Sequence, residues 1–428
     1  MLYSCEFSNF TSFKDLVEFE LAAPKNRVRK RYPDNYVQMK SGELVLKDAV
    51  IVGENAGGKS NFVTAFKFLR SLFVRNDVSP RSYINLIFSG NVQYDGKGDV
   101  GLGESVTLQP FVVEIAFGEM TVRYTLCLDI HGVTLEMLER RGSAGEKYRL
   151  IFKNWRSDDY TDCKDCPEGR ACQRRDDDSG CWTFNVSYGE DLSIPKELAD
   201  RLFVSPMDSG LMVKSLATLG ERSCKALTSW FSSELAIASR HEGRFSIEGV
   251  SSDQTDRIMS DSRYFDIFRL VDSSIIGMRI DKERPFLDSV LIRRSKSGRT
   301  FERPIREDST GVAQFAQWAM AIYLVVCENK TVLADEVDSA INPVLSDRVI
   351  AYINGCDHTG QFVFTTHNAF NLTFRSFMKE QIFFVTKDVE SLESSVYSLA
   401  DFKDVRYDVK GEIYDLYLRG LLGGTQDA

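Results

Sequence analysis

The sequence lacks the marks of several protein classes. No apolar run approaches the roughly 18 residues a membrane span needs, so no membrane partner is expected. The opening MLYSCEFSNF has no secretory leader, which implies a reducing, cytoplasmic setting where disulfides are rare. A sustained heptad array is also missing, and this excludes an extended coiled-coil arm. Cations are outnumbered, 53 Lys and Arg against 62 Asp and Glu for a net charge of −9. That balance argues against broad, nonspecific attraction to a phosphate backbone. Histidine is scarce, with four in 428 residues.

What is present begins with LVLKDAVIV, Leu44 to Val52, apolar and β-branched enough for a buried strand. It runs into Gly53, Glu54, Asn55, Ala56, Gly57, Gly58, Lys59 and Ser60, which fit G-x-x-x-x-G-K-[ST], with Asn61 following. From Ser60 the run SNFVTAFKFLRSLF has helix-compatible apolar spacing. Strand, loop and helix in that order point backbone amides and the positive end of a helix at phosphates. Lys59 is then expected to reach the β and γ phosphates of ATP, and Ser60 to ligate Mg²⁺. A chance glycine-rich turn explains the glycines but not the Lys-Ser pair.

A second motif, Lys330 to Glu336, reads as a short buried strand ending in Asp335 and Glu336. Two carboxylates there need partners, and a hydrated Mg²⁺ and an attacking water are suitable ones. Asp335 is expected to hold the metal through its bound water, and Glu336 to orient or deprotonate the water in line with the γ-phosphate. A solvated strand end is the plainer reading of the same residues. After a helix expected over Pro343 to Asn354, the β-rich run from Gln361 ends at His367 and Asn368. That position suits a γ-phosphate sensor, the alternative being a packed imidazole. A third piece, Glu307-Asp308-Ser309-Thr310-Gly311, precedes the helix-like VAQFAQWAMAIYLVV and in isolation is an ordinary N-cap.

Taken together these residues resemble the ATP-binding-cassette ATPases of the SMC and recombination-repair type, and more closely the compact, AAA-type, OLD-like ATPases of bacterial phage-defence and restriction-associated operons. The phosphate loop at Gly53 to Ser60, a shortened Ser-x-Gly signature at Ser309 to Gly311, the pair Asp335-Glu336, the loop near Asp338-Ser339 and the switch His367 carry the resemblance. The opening LYSCEFSNFTSFK, Leu2 to Lys14, is similar to the family's first strand, and Gly411 to Gly420 resembles its closing segment. Asn342 departs from the pattern, standing where a histidine usually precedes the proline.

The resemblance implies an ATP phosphohydrolase in which Lys59, Glu336 and His367 are catalytic. It implies that nucleotide is held by Gly53 to Asn61 of one head and covered by Ser309 and Gly311 of the opposite one, with Thr310 and Asp338 also binding nucleotide and Ser60 and Asp335 on the metal. A homodimer or larger homo-oligomer follows. Gln109 is the candidate for the Q-loop glutamine. OLD-family nucleases continue into a Toprim domain that needs more chain than follows Thr386, so no intrinsic nuclease is expected. The implied function is an ATP-hydrolysing sensor or regulatory scaffold of anti-phage defence, controlling a separate effector such as a nuclease or toxin. Two alternatives stand beside it: a DNA-repair or chromosome-maintenance ATPase that clamps DNA, and a nucleotide-dependent structural assembly protein with slow turnover.

The expected architecture is an α/β head of the ABC/SMC type, with an antiparallel sheet beside the phosphate-loop core and an inserted helical lobe without a long coiled coil. Residues 1–150 form the N-terminal part of the head, 151–190 a cysteine-rich insertion, 191–285 a mostly helical lobe, and 286–428 the C-terminal part. Strand-like runs fill Val106 to Leu150, whereas Ile194 to Arg269, including SLATLGERSCKALTSWFSSELAIAS, reads as helical. Four of the nine cysteines, Cys163, Cys166, Cys172 and Cys181, lie close together in a charged loop. Four thiolates suit tetrahedral Zn²⁺ and the first pair has zinc-knuckle spacing, against the alternatives of free reduced thiols or a disulfide. Two basic clusters, Lys25, Arg27, Arg29, Lys30 and Arg31, and Arg293, Arg294, Lys296, Arg299, Arg303 and Arg306, are either DNA or RNA contacts or solvated faces.

Overall fold

The structure, a computed structural model, describes residues 1–25, 27–75, 93–94, 100–101, 108–129, 132–161, 172–174, 181–201, 211–241, 244–337, 342–368, 376–405 and 412–422. Its centre is a seven-stranded sheet in the order Arg244–Glu248, Leu235–His241, Thr331–Ala334, Gln361–Thr366, Asp48–Gly53, Ile382–Lys387 and Ser394–Ser398. The five inner strands are parallel and the two edge strands antiparallel to their neighbours.

Both faces of this sheet are covered, and the sequence alternation shows it. Ala49, Ile51, Leu333, Val363, Ile237 and Val385 enter one core. Their immediate neighbours Val50, Val52, Val332, Ala334, Phe362, Phe364 and Phe384 enter the other. Parallel strands buried on two sides read as continuous apolar runs, which is why these strands stand out in the sequence. On the first face lies the helix Lys59–Val74, and beyond it an eight-stranded sheet formed from Leu2–Phe7, Val17–Glu20 and the strands between Gln109 and Tyr188, with every adjacent pair antiparallel. Phe62 of the helix meets Phe19 edge to face, with ring centroids 5.0 Å apart, and Phe7 at 6.1 Å. On the second face Thr310–Glu328 buries Phe315, Trp318 and Ile322, and Pro343–Gly355 buries Val349 and Ile353.

The antiparallel sheet is as expected: VTLQPFVVEIAF, MTVRYTLCLDI and VTLEMLERR contain the strands Gln109–Phe117, Met120–Asp129 and Gly132–Arg141. Gln361 stitches this sheet to the central one. Its Nε2 donates to the carbonyls of Leu2 at 2.8 Å and Leu46 at 3.0 Å, and its Oε1 accepts from the Thr331 hydroxyl at 3.1 Å.

Four expectations are corrected. Leu44 to Val52 is two strands: Leu44–Leu46 pairs with Tyr36–Gln38, and Asp48–Gly53 enters the central sheet. The break falls at Lys47, whose buried ammonium donates to the Asn354 and Cys356 carbonyls at 3.0 and 2.9 Å. The helical reading of Ile194 to Arg269 holds for Lys196–Asp200, Met212–Leu219, Arg222–Ser229, Ser252–Met259 and Ser262–Phe268. It fails at LAIAS, which lies in the inner strand Leu235–His241, parallel to Thr331–Ala334. Alternating Leu-Ala-Ile-Ala buries on both faces there, so tertiary pairing overrides a helix-compatible local pattern. Arg244–Glu248 extends the same sheet.

The third correction concerns apolar length. Thr310–Glu328 is a 19-residue helix of mean hydropathy 1.4, long and apolar enough to cross a membrane, yet it packs in the second core. Lastly, the basic run from Arg293 to Arg306 belongs in part to an unforeseen three-stranded sheet of Ile275–Arg279, Val290–Arg294 and Thr300–Pro304.

Candidate functional site

Parallel strands bring their carboxyl ends to one edge of a sheet, where α/β proteins place their ligands. Here that edge carries Gly53, Asp335, His367 and the end of Leu235–His241. Gly53 is required by space: a Cβ on it would lie 2.2 Å from the Val385 carbonyl oxygen. The loop then turns through left-handed backbone at Ala56 (φ 61°) and Gly58 (φ 118°). A Cβ on Gly58 would also come within 2.6 Å of Ser394 Oγ. That hydroxyl is 2.8 Å from both the Gly57 carbonyl and Ser12 Oγ, and Asn61 Nδ2 donates to Ser12 Oγ at 2.8 Å. Ser12 and Ser394, from opposite ends of the chain, therefore brace the loop.

The helix Lys59–Val74 begins at Gly58, which has no side chain of its own to cap the first amides, an arrangement that favours an anion in that position. Lys59 is buried, and its ammonium donates to the carbonyls of Gly53 at 2.8 Å and Glu54 at 2.7 Å. It also lies 3.1 Å from His367 Nδ1. An ammonium can only donate, so this contact puts a ring lone pair at Nδ1. The structure thus brings Lys59 and His367 into direct contact across 308 residues of sequence.

The acidic pair follows Thr331–Ala334. Asp335 Oδ1 accepts from the Thr365 hydroxyl at 2.7 Å, and the Glu336 amide donates to the same hydroxyl oxygen at 2.9 Å. Thr365, fully buried in the strand that leads to His367, therefore joins both acids. Glu336 itself has φ 56°, an uncommon left-handed conformation for a residue with a side chain. The Asp335 amide donates to the Ala238 carbonyl at 2.8 Å, so the end of Leu235–His241 flanks the acids. Near that end Lys67 donates to Ser239 Oγ at 3.3 Å, and Arg240 donates to Gln317 Oε1 at 2.8 Å.

Ser309, Thr310 and Gly311 sit apart. Ser309 caps the helix Thr310–Glu328, its Oγ accepting from the Val312 amide at 3.4 Å, and all three residues are exposed. A Cβ on Gly311 would meet nothing within 4 Å. Among the described residues, no hydrogen bond joins this turn to the phosphate loop of the same chain. Asn342 caps Pro343–Gly355 by accepting from the Leu345 amide at 3.0 Å, which gives the departing residue a local structural part.

Other candidates are placed elsewhere or not described. Gln109 is buried at the start of its strand, its amide donating to the Asn9 carbonyl. Asp338, Cys163 and Cys166 lie outside the described residues, and Cys172 and Cys181 lie on strands but their own side chains are not described. No cluster of three or more His, Cys, Asp or Glu side chains able to hold a metal occurs among the described residues. Arg27–Arg31 is a short turn of 3-10 helix with no buried residue, and Arg293 and Arg306 of the second basic run are engaged with carboxylates.

The serines at 12 and 394 and Thr365 were not legible as site residues, since no motif marks them. Thr365 alone carries a signal, its place two residues before His367 at the end of Gln361–Thr366. As a set, the exposed Ser60 beside a helix start whose N-cap is a glycine, the two acids and the buried lysine fit a magnesium nucleotide. Bound there, the ion would neutralise phosphate charge, with Ser60 and Asp335 as its candidate protein anchors.

A family model described as "AAA domain, putative AbiEii toxin, Type IV TA system" matches residues 138–372, which include the Ser309 turn, the acidic pair and His367. No curated protein matches the chain. Solved structures similar to it include an SMC head domain from Thermotoga maritima, at 15% identity and TM-score 0.40, covering 93% of this chain and 98% of that one. An SMC head bound to the C-winged helix domain of ScpA has 14% identity and TM-score 0.42, over 93% and 97% of the two chains. An Smc head with an extended coiled coil, bound to the C-terminal domain of ScpA derived from Pyrococcus furiosus, has 12% identity and TM-score 0.40 over 99% and 100%. Because the family match spans more than half of the 428 residues, the chain belongs to this AAA-domain family.

Proposed function

We propose that this protein is an ATPase whose heads pair on ATP, in a regulatory or structural role. The observation that carries the reading is the separation within one chain. Lys59, His367, Thr365 and the two acids gather at one sheet edge, while the Ser309 turn stands exposed, with no hydrogen bond to that edge among the described residues. Nucleotide on Lys59 of one head is then covered by Ser309, Thr310 and Gly311 of a second. Glu336 orients or deprotonates the attacking water, and His367 exchanges its contact with Lys59 for the γ-phosphate.

Light scattering of Glu336→Gln with ATP tests this. A nucleotide-dependent doubling of mass that Ser309→Arg abolishes is expected, and an ATP-loaded protein that stays monomeric would refute it.

For the output of the cycle, nucleotide-gated clamping or assembly on a macromolecular partner is the reading we favour. Exposed Arg27 and Lys30, and the hairpin bearing Lys296 and Arg299, offer cations for DNA, despite the net charge of −9. Binding that is ATP-dependent, and weakens steeply with salt, is the expected sign. The toxin wording of the family description favours a second reading, control of a separate effector in phage defence. Retention of a protein effector, without DNA, on ATP-loaded Glu336→Gln would decide for it.

A further inference from the structure

One arginine of the second basic run is unlike the others. Arg293 lies on Val290–Arg294, the middle strand of the small sheet, and its guanidinium is held from two sides. Nη2 donates to Asp308 Oδ2 at 2.8 Å, while Nη1 donates to Asp272 Oδ2 and, at 3.1 Å, to Ser274 Oγ. Asp308 uses its other oxygen on the exposed turn, Oδ1 accepting the Ser309 amide at 2.8 Å. Asp272 is fixed in turn by accepting the Ser274 amide at 2.8 Å. A continuous chain of charge-assisted bonds therefore runs from the small sheet through Arg293 and Asp308 to the backbone of Ser309.

The surroundings distinguish this from a surface ion pair. Side-chain exposure is 22% for Arg293 and 11% for Asp308, against 62% and 49% for Arg279 and Glu302, which pair on the same sheet. Exposed pairs of the latter kind contribute little, whereas a planar fork bound at both ends fixes geometry. Beside the turn lies an open pocket of about 480 Å³, lined by Arg293, Asp308, Ser309, Val312 and the exposed ring of Phe301. The turn is thus shaped from behind and open in front.

We infer that Arg293 is a positioning residue for the Ser309 turn, presetting it to meet nucleotide held by a second copy of this chain. The inference rests on the paired-head reading proposed above. Arg293 touches no nucleotide itself; its effect passes through Asp308.

Mixing variants tests it. Arg293→Met is expected to bind ATP on the single head as the unaltered protein does, yet to hydrolyse it on the order of 100-fold more slowly, the scale of a misplaced contact. Lys59→Ala is inactive for the opposite reason. When the two are mixed, one composite site of each hybrid dimer carries both changes and the other carries neither. Activity should return to about a quarter of the unaltered rate, half the dimers being hybrid with one intact site in two. Lys59→Ala mixed with Ser309→Arg is the reference pair. Failure of the reference pair would overturn the paired-head reading and the Arg293 inference with it. Recovery there without recovery for Arg293→Met would overturn the Arg293 inference alone. Arg293→Lys, a point charge that cannot span both carboxylates, should stay slow, and a normal rate would refute the fork geometry. Arg279→Met should leave the rate unchanged. If Arg293→Met does not fold, Asp272→Asn, which removes only the outer anchor, carries the same mixing test with the same outcomes.

Discussion

Glu336 is held with φ 56°, its amide on the Thr365 hydroxyl at 2.9 Å and its side chain exposed. Two consequences can be separated by replacing it with Gln, Ala and Gly. The left-handed conformation costs a residue with a Cβ about 1–2 kcal/mol. Glycine escapes that cost but loses about 0.4–1 kcal/mol through the greater freedom of its unfolded chain. The amide bond to Thr365 survives in all three, and an exposed side chain forfeits little burial, so the difference isolates the backbone. Glu336→Gly should therefore be about 0.5–1 kcal/mol more stable than Glu336→Ala. Denaturant midpoints without nucleotide, compared at equal slope, measure this. Equal midpoints, or a more stable alanine variant, would show that no strain is stored there. All three variants should lose about 10²–10⁴-fold in phosphate release if the carboxylate acts on the water. Wild-type turnover by Glu336→Gln would refute that part of the reasoning. A stabilised, inactive glycine variant would mean that the acid is kept at this bend against the preference of the backbone.

Lys59→Met, which removes the ammonium between Gly53, Glu54 and His367, should weaken nucleotide binding about 10–100-fold, the scale of charged hydrogen bonds, in a fluorescent-nucleotide titration. Glu136 is buried and accepts from the Met212 and Val213 amides at 2.7 and 2.9 Å and from the Tyr124 hydroxyl at 3.0 Å. Burial outweighs these bonds and pushes its carboxyl from 4.5 up to about 7. Between those values the folded chain keeps a proton that the unfolded chain has released. Stability from this group is therefore full below the unfolded value and falls by about 3 kcal/mol as pH rises through the window. Glu136→Gln should flatten the pH dependence of unfolding there. Buried Asp48, pushed up to about 7 by desolvation, has the same sign and should leave a residual slope. Phe62→Ala, in the core between the helix and the antiparallel sheet, should cost about 3–5 kcal/mol, read from the thermal or denaturant midpoint.

The nucleotide motifs were legible because the central strands combine two signals. Each is a short run buried on both faces, and each ends on a residue that such a run would otherwise exclude: Gly53, Asp335 or His367. Where one signal is missing the reading fails. Leu235–His241 is buried in the same way, but its alanines suit a helix as well and its polar end matches no motif. The break at Lys47 depends on carbonyls more than 300 residues away, which no local window contains. Ser12, Ser394 and Thr365 are ordinary residues made important by contacts with residues remote in sequence. Gln109, a candidate by its place between the phosphate loop and the Ser309 turn, is buried at a strand start with its amide donating to the Asn9 carbonyl.

The stitch made by Gln361 has a consequence for the birth of the protein. It joins backbone at Leu2 to a residue 359 positions later, and the phosphate-loop strand finds both its parallel neighbours only beyond residue 360. At roughly 5–20 residues per second, a ribosome takes about 20–90 s to deliver them. Until then the glycine loop emerges as a lone strand without the sheet that shapes it. A chain truncated or stalled before those strands would carry the entire phosphate-binding sequence without the sheet that shapes it, so delivery of the strands beyond residue 360 is itself the first switch on this nucleotide site.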